Sequence, residues 1–219
     1  MFHVEHRHET KADFAQALRD GAKELNLPLP TLLAEQCAHY CRNLIAWNAK
    51  TNLTAITDES EIAIKHFIDS LYCQFALDVA RGRTLLDVGS GAGFPGLPLK
   101  LALPQLDVTL LEPSQKKTAF LRHVIGSLGL TNVQVKSLRV EELPDRDLYS
   151  HIITRAVQAE AILSHLTRLV APSGRIILCR TQSLDQHSIP KGLQLDKEIA
   201  YTLPSGQGNR LLSVLTVQS

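Results

Sequence analysis

A glycine-rich turn directly after an apolar run restricts the fold of this chain more than any other feature. The run 85–88 leads into Gly89, Gly91, Gly93 and Gly96. At a strand-to-helix turn, glycines permit backbone angles that other residues avoid and let a ligand approach the main chain closely. The segment therefore predicts the first strand of a sheet, with its switch point and a ligand site at the turn.

Short apolar runs alternate with helical patterns after this turn. Strands are predicted at 84–88, 108–111, 133–136, 151–154 and 175–179, and helices at 97–103, 115–128 and 159–170. This alternation predicts an α/β fold, a Rossmann-like parallel sheet with helices on both faces. Two last strands, 197–203 and 211–217, are separated by too few residues for a crossover helix, so they are predicted to form an antiparallel hairpin.

The first third of the chain has a helical pattern instead. Apolar residues at three-and-four spacing predict two helices within 10–50 and a third over 61–79. We therefore expect an N-terminal helical appendage, residues 1–81, and a cofactor-binding core, residues 82–219, which together form one globular unit.

Composition excludes several classes of protein. The chain has 23 basic and 22 acidic residues, which argues against a globally basic nucleic-acid binder but allows a local basic face. No apolar run approaches the roughly 18 residues that span a bilayer, and no secretory signal is recognisable. We expect a cytoplasmic monomer without membrane contact. The cysteines lack metal-ligand spacing, so no metal site is predicted and the thiols are expected to pack in reduced form.

The glycine turn fits two classes of cofactor. Gly91 to Gly96 match the dinucleotide fingerprint, and Glu112, at the end of the second strand, is placed to hold a ribose. Pro95, however, removes a backbone N–H where a pyrophosphate needs donors. Asp87 adds a carboxylate that repels a pyrophosphate but suits the ammonium and sulfonium of S-adenosylmethionine. We predict S-adenosylmethionine as the cofactor, and a nicotinamide oxidoreductase or a non-catalytic nucleotide-binding module remains the alternative.

Residues after the second and third strands are predicted to contact the adenosine. Glu112 would accept both ribose hydroxyls, unless it is only a solvated acid at a strand end. Val140 and Glu141 would border the adenine, unless Glu141 serves as an acid at a helix N-terminus.

Several separate motifs together point to one family. They are Trp47-Asn48, Asn52-Leu-Thr54, His66-Phe-Ile-Asp-Ser70, Asp87 to Pro98, Arg139-Val-Glu-Glu142, Thr154-Arg-Ala156 and Gly208-Asn-Arg210. From Trp47 onward the chain resembles the bacterial glucose-inhibited division protein B family, which methylates guanine N7 in 16S ribosomal RNA. The resemblance implies a class I methyltransferase fold, and 16S rRNA or the small ribosomal subunit as partner.

The resemblance also implies particular cofactor contacts. These are Gly89, Phe94, Val140, Glu141 and Arg155, to which we add Gly91 from the turn and Glu112 from the ribose argument. The chain departs from the family at Cys179-Arg-Thr181, where Leu-Lys-Gly is common, and at Asn209, where an acid is usual. The first change replaces an ammonium with a planar guanidinium, which affects how RNA is positioned.

Guanine N7 carries a lone pair and no proton, so its methylation needs alignment and electrostatics rather than a general base. Methylation of an exocyclic amine would need acceptors after the fourth strand, where this chain has Thr154-Arg-Ala-Val157. Methylation of cytosine C5 would need a cysteine nucleophile, for which Cys179 is the one candidate near a ligand-facing strand end. Both reactions are disfavoured, while another RNA site, a small molecule or a protein remain alternative substrates.

The predicted acceptor side consists of charged residues. Arg155 would hold the cofactor carboxylate or a target phosphate, unless it pairs with an acid at the sheet end. His66 and Asp69, three residues apart on a helix, would contact each other or the target. We name these three residues as the catalytic candidates. The RNA-binding candidates are Lys65, Lys116, Arg180 and Arg210.

Overall fold

A computed structural model describes residues 13–145, 148–155 and 159–218. The start of the first predicted helix at residue 10 lies outside the described residues, as does Ala156 of the Thr154-Arg-Ala motif.

Helices precede the sheet, as predicted. They are α1 (Phe14–Glu24), α2 (Thr31–Thr51) and a composite helix made of α3 (Glu59–Ile62), a π-helical turn (Ala63–Ile68), α4 (Asp69–Tyr72) and a 3₁₀ turn (Cys73–Ala76). The composite helix was predicted as one regular helix over 61–79, so its π-helical turn was missed. Such turns occur often at functional sites, and this one carries Lys65 and His66.

One seven-stranded sheet forms the rest of the fold. Its strands are β1 (Thr84–Val88), β2 (Asp107–Leu111), β3 (Val133–Lys136), β4 (Tyr149–Thr154), β5 (Val170–Arg180), β6 (Leu193–Thr202) and β7 (Asn209–Val217). The connecting helices are α5 (Gly96–Ala102), α6 (Gln115–Ser127) and α7 (Ala159–Thr167). The strand order is β3-β2-β1-β4-β5-β7-β6, parallel except for β7, which runs antiparallel to both neighbours. The predicted fold class and the C-terminal hairpin are confirmed.

The predicted boundary between the last helix and β5 was wrong. The helix was expected to reach residue 170, but α7 ends at Thr167 and β5 already begins at Val170. The apolar residues there belong to a strand that pairs Tyr149 of β4 with Val170. A short apolar run suits a buried strand as well as a helix, so periodicity alone does not separate the two.

The switch point lies at β1, as predicted. Val88, its last residue, pairs with Leu111 of β2 on one side and with Thr154 of β4 on the other. The residues that follow these three strands, Gly89, Glu112 and Arg155, therefore reach the same edge of the sheet. Ligands of open α/β sheets bind at such edges.

The N-terminal helices share a hydrophobic core with one face of the sheet. Phe14 of α1 packs edge-on against Phe67 of the π-helical turn, with ring centroids 5.0 Å apart, and Tyr40 of α2 packs against Phe67 at 5.2 Å. Phe120 of α6 belongs to the same buried cluster. The division at residue 82 stays a prediction. Within the described ranges, no helix is long and apolar enough to cross a membrane.

Candidate active site

The glycine turn after β1 is tied to the end of β2 through the main chain. The N–H groups of Gly89 and Ser90 both donate to the carbonyl of Leu111, at 2.9 and 3.1 Å. Gly89 has φ +72° and is exposed, and a Cβ atom built on it would meet nothing within 4 Å. The turn therefore offers an open cradle that only glycine leaves free of a side chain.

Glu112 supports this turn from behind. Its Oε2 accepts from the N–H of Gly91 at 2.9 Å and its Oε1 from the N–H of Ser114 at 2.9 Å. The residue is only 5% exposed. Each carboxylate oxygen can accept a second hydrogen bond, so the ribose contact stays a prediction, although the visible role of Glu112 is to hold the turn.

Asp87 lies beneath the turn rather than on its open side. The residue is fully buried, its Oδ2 accepts from the N–H of Gly96 at 2.8 Å, and its Oδ1 has no hydrogen-bond partner among the described residues. Burial raises the pKa of this carboxyl to about 7. From the sequence we expected a carboxylate beside the turn; Asp87 lies on the buried side of the turn, where it accepts from the first residue of α5.

Phe94 connects the turn to the helices. Its ring stacks on Tyr40, with centroids 5.2 Å apart and an interplanar angle of 2°, and on His66 at 4.8 Å and 18°. The hydroxyl of Tyr40 also donates to the carbonyl of Ala92 within the turn. The Arg155 guanidinium lies 5.8 Å from the Phe94 centroid. Phe94 thus joins the cofactor side to the neighbouring charged cavity, and its contact with a cofactor stays a prediction.

The segment after β3 is fixed by an arginine that sequence reasoning missed. Arg168 Nη2 donates to the carbonyls of Val140 and Glu141 at 2.8 and 3.3 Å. Val140 is buried and Glu141 is exposed. Glu142, not Glu141, accepts from the N–H of Arg139 at 2.6 Å and closes the short helical turn. This leaves the Glu141 side chain exposed, while its contact with adenine stays a prediction.

A cavity of about 490 Å³ opens beside the turn at the same sheet edge, and we call it the basic cavity. It is lined by Ile56, Lys65, His66, Asp69, Arg155, Cys179, Arg180, Thr181, Gln182 and Arg210. The structure thus brings together all three catalytic candidates and three of the RNA-binding candidates. Lys116 is exposed near the start of α6 and does not line this cavity.

Asp69 is the centre of the charged groups in the basic cavity. Its Oδ2 lies 3.2 Å from Arg155 Nη1, and its Oδ1 lies 3.4 Å from Arg210 Nε and accepts from the Tyr201 hydroxyl at 2.7 Å. Arg155 Nη1 also donates to the carbonyl of Lys65 at 3.2 Å. One buried carboxylate thus holds two guanidiniums, and the group retains a net positive charge.

His66 and Asp69 do not hold each other, although the sequence allowed it. His66 Nε2 lies 2.8 Å from Thr54 Oγ1 instead. Asn48 fixes Thr54 in turn, accepting from its N–H at 2.9 Å and donating to its carbonyl at 3.0 Å. Burial and the charge of Arg155 lower the pKa of His66 to about 4. The imidazole is therefore neutral near pH 7, and its carrier helix is anchored to the Asn48–Thr54 loop.

Other cations of the basic cavity also have partners within the protein. Lys65 Nζ lies 2.6 Å from Glu61 Oε1, and Arg180 Nε donates to the carbonyl of Gln182 at 3.0 Å. Arg180 thereby orders the loop that follows β5. These contacts position the charges at the cavity wall, and RNA binding by Lys65, Arg180 and Arg210 stays a prediction.

Tyr201 was missed by sequence reasoning because nothing near it in the chain suggests a partner. It lies on β6, and its hydroxyl meets an Asp69 oxygen 132 residues away in the sequence. The one available signal was that Tyr201 is the only aromatic residue of its strand. Over the described part of the chain, no group of His, Cys, Asp or Glu is placed to hold a metal ion.

Known proteins are similar to this chain in sequence and in fold. A family model described as rRNA small subunit methyltransferase G matches residues 33–213. The ribosomal RNA small subunit methyltransferase G of Pelotomaculum thermopropionicum is 42% identical over 154 residues, which span 68% of this chain and 64% of that protein. The protein of the same name from Listeria monocytogenes serotype 4b (strain F2365) is 34% identical over 205 residues, covering 88% and 86%. Among solved structures, a putative O-methyltransferase from Klebsiella pneumoniae matches with a TM-score of 0.59 at 14% identity, over 90% of this chain and 94% of that one.

Proposed function

The chain belongs to the rRNA small subunit methyltransferase G family, and from that membership we propose that it transfers a methyl group from S-adenosylmethionine to guanine N7 in 16S rRNA. The observation that carries the proposal is the arrangement at one sheet edge, where an open glycine cradle adjoins a cavity lined by cationic side chains. The cradle receives the donor, and the cavity receives the nucleotide.

The residues around the turn fit S-adenosylmethionine. Gly89 leaves the space above the turn open. The buried Asp87 carboxyl beneath it has a pKa raised to about 7, and a cationic ligand above the turn would favour its ionised form. Gly91, Phe94, Glu112, Val140 and Glu141 complete the proposed set of contacts. When bound, the cofactor supplies a methyl group on a positively charged sulfur.

The groups in the basic cavity suit a reaction without proton removal. Guanine N7 attacks through an in-plane lone pair, so the protein has only to align the base and stabilise charge. The pKa of His66 is lowered to about 4, so its imidazole is a weak base, and its Nε2 already pairs with Thr54 Oγ1. Asp69 is engaged by Arg155, Arg210 and Tyr201. Neither residue is poised as a general base. Arg155, His66 and Asp69 therefore act by positioning the substrate.

The proposed RNA contacts are Lys65, Arg180 and Arg210 from the cavity wall and Lys116 from outside it. A lost phosphate contact weakens RNA binding and reduces its salt dependence by about one unit of slope. Arg210→Ala is therefore expected to flatten the salt dependence of RNA binding more than Lys116→Ala, because Arg210 lines the cavity and Lys116 does not. Equal slopes for both variants would argue against the cavity as the phosphate site.

A nicotinamide oxidoreductase remains the competing function because the turn matches a dinucleotide fingerprint. Calorimetry with adenosylhomocysteine and NAD separates the two cofactors, and binding of NAD alone would contradict the proposal.

Labelled S-adenosylmethionine and small subunits from cells lacking the enzyme then test the acceptor. Label is expected in 16S rRNA, and no transfer to subunits or to naked rRNA would contradict an RNA target. A cytoplasmic location and a monomeric state complete the proposal.

A further inference from the structure

Two cysteine sulfurs meet at the wall of the basic cavity. Cys73 Sγ lies 3.7 Å from Cys179 Sγ, although the residues are 106 positions apart in the sequence. Cys73 is 2% exposed and belongs to the 3₁₀ turn after α4. Cys179, in β5, is half-buried and lines the cavity. One thiol of the pair is therefore reachable by a small solute, and the other lies directly behind it.

We propose that Cys73 and Cys179 form a modification site, at which a hydroperoxide produces a disulfide that lowers methyl transfer. In the first step, Cys179 Sγ attacks the peroxide and its O–O bond breaks. This gives a sulfenic acid on Cys179, and the thiol proton leaves with the released oxygen as water or an alcohol. In the second step, Cys73 Sγ attacks the Cys179 sulfur and the S–O bond breaks. The leaving hydroxide takes the Cys73 proton as water, so the peroxide gains the two electrons that the thiols lose.

The surroundings of the two thiols set the order of these steps. A hydrogen bond with Cys179 and burial raise the pKa of the Cys73 thiol, and the nearby Asp69 carboxylate acts in the same direction. Cys73 is thus a poor first nucleophile and is shielded from the oxidant. Cys179 faces the cavity and reacts first. The short S–S distance then allows Cys73 to capture the sulfenic acid before it is oxidised further.

The disulfide would disturb both walls of the cavity. An S–S bond is about 2.05 Å long, so the sulfurs must approach each other by roughly 1.6 Å. Cys73 Sγ donates to the carbonyl of Asp69 at 3.4 Å, and Asp69 holds Arg155 and Arg210. Cys179 directly precedes Arg180, which orders the loop after β5. The loss of methyl transfer rests on the proposed function, whereas formation of the disulfide does not.

The test treats the full-length protein with hydrogen peroxide and maps cross-linked peptides by mass spectrometry. A peptide joining Cys73 to Cys179, with two hydrogens lost, is expected in the wild type and in Cys41→Ala, the control that removes a buried thiol from α2. Neither Cys73→Ala nor Cys179→Ala should form a cross-link. The activity of each variant is expressed relative to its own untreated sample. We expect the wild type to lose activity at least about fivefold and to recover with dithiothreitol. Cys179→Ala, which lacks the thiol that the peroxide attacks, should keep most of its activity at peroxide levels that inactivate the wild type.

Stepwise oxidation of Cys179 to sulfinic acid without a cross-link would overturn the proposal. If the cross-link formed and methyl transfer stayed unchanged, the proposed effect of the disulfide on activity would be overturned. If the reduced protein transferred no methyl group to RNA while the cross-link still formed, the proposed function would fail and the disulfide site would stand.

Discussion

The glycine turn and the basic cavity lie side by side but are built differently. The turn is one continuous segment, held by main-chain hydrogen bonds to Leu111 and by the Glu112 carboxylate. The cavity is made of Ile56 and of side chains from the composite helix, β5 and the loop after it, β7 and the residue after β4, which are brought together from distant parts of the chain. Under the proposed function, donor binding depends on backbone shape, whereas acceptor binding depends on a network of charges.

Gly89→Asp should have the largest effect, because it puts a side chain into the open space above the turn. We expect adenosylhomocysteine binding to weaken by about 100-fold or more, or ~2.7 kcal/mol, as measured by calorimetry. Gly129→Asp is the matched control, since Gly129 also has a positive φ, +61°, and nothing within 4 Å of a built Cβ. If adenosylhomocysteine affinity fell equally in both variants, the loss would be due to backbone strain and not to a side chain that fills the space above the turn.

Arg155→Ala tests whether a change in the basic cavity lowers methyl transfer while the glycine turn still binds the cofactor. It removes the guanidinium that contacts Asp69 and lies over Phe94. We expect methyl transfer to fall at least about tenfold, about 1.4 kcal/mol of barrier, and most of the loss should be in kcat/KM for RNA. Arg19→Ala, an exposed substitution on α1, should leave transfer unchanged. Unaltered kinetics in Arg155→Ala would make this arginine a structural residue.

The two regions should respond to acid in opposite ways. Burial raises the pKa of Asp87 from 3.8 to about 7, so its contribution to stability is complete below pH 3.8 and is lost as the pH rises through 7. Burial lowers the pKa of His66 from 6.5 to about 4, so its contribution is complete above pH 6.5 and is lost as the pH falls toward 4.

Urea unfolding between pH 7.5 and 4 measures this difference. Asp87→Asn should lose stability relative to the wild type as the pH falls, by at least about 1 kcal/mol across the range. His66→Gln should gain stability relative to the wild type as the pH falls. A constant gap between either variant and the wild type would contradict the assigned pKa direction.

Tyr201→Phe should have the smallest effect, because it removes one hydroxyl and keeps the ring stacked on Tyr72, whose centroid is 3.8 Å away. A hydrogen bond to a charged group contributes about 1.5–3 kcal/mol, but Asp69 keeps both of its guanidinium partners in this variant. We expect a two- to fivefold loss of kcat/KM for RNA, with adenosylhomocysteine affinity within a factor of two. A loss of cofactor affinity as well would show that the two regions are not separable.

The difference between the regions also explains what could be predicted from the sequence. The turn was predictable because strand, glycines and Glu112 lie within 28 residues, and local pattern sets their geometry. The parallel sheet followed from the alternation of strands and helices, whereas its strand order was not predicted. The buried position of Asp87 was not predictable, because the direction of a strand-end side chain depends on how α5 packs against β1.

The charges of the basic cavity were predictable as residue types but not as contacts. Arg155, Asp69 and His66 were chosen from motifs, yet their partners Tyr201 and Thr54 follow only from three-dimensional packing. The π-helical turn was missed because hydrophobic periodicity does not register a single inserted residue. Cys73 and Cys179 likewise meet across the boundary between the helices and the sheet, which no spacing in the chain reveals.

The identity of the methylated nucleoside tests the central claim most directly. Small subunits from cells lacking the enzyme are incubated with the protein and S-adenosylmethionine, and their 16S rRNA is digested and analysed by mass spectrometry. A cavity without a poised general base predicts 7-methylguanosine as the product. At the same enzyme concentration its yield should fall at least about tenfold with Arg155→Ala and further with Gly89→Asp. A methyl group on an exocyclic amine or on cytosine C5 would contradict the account.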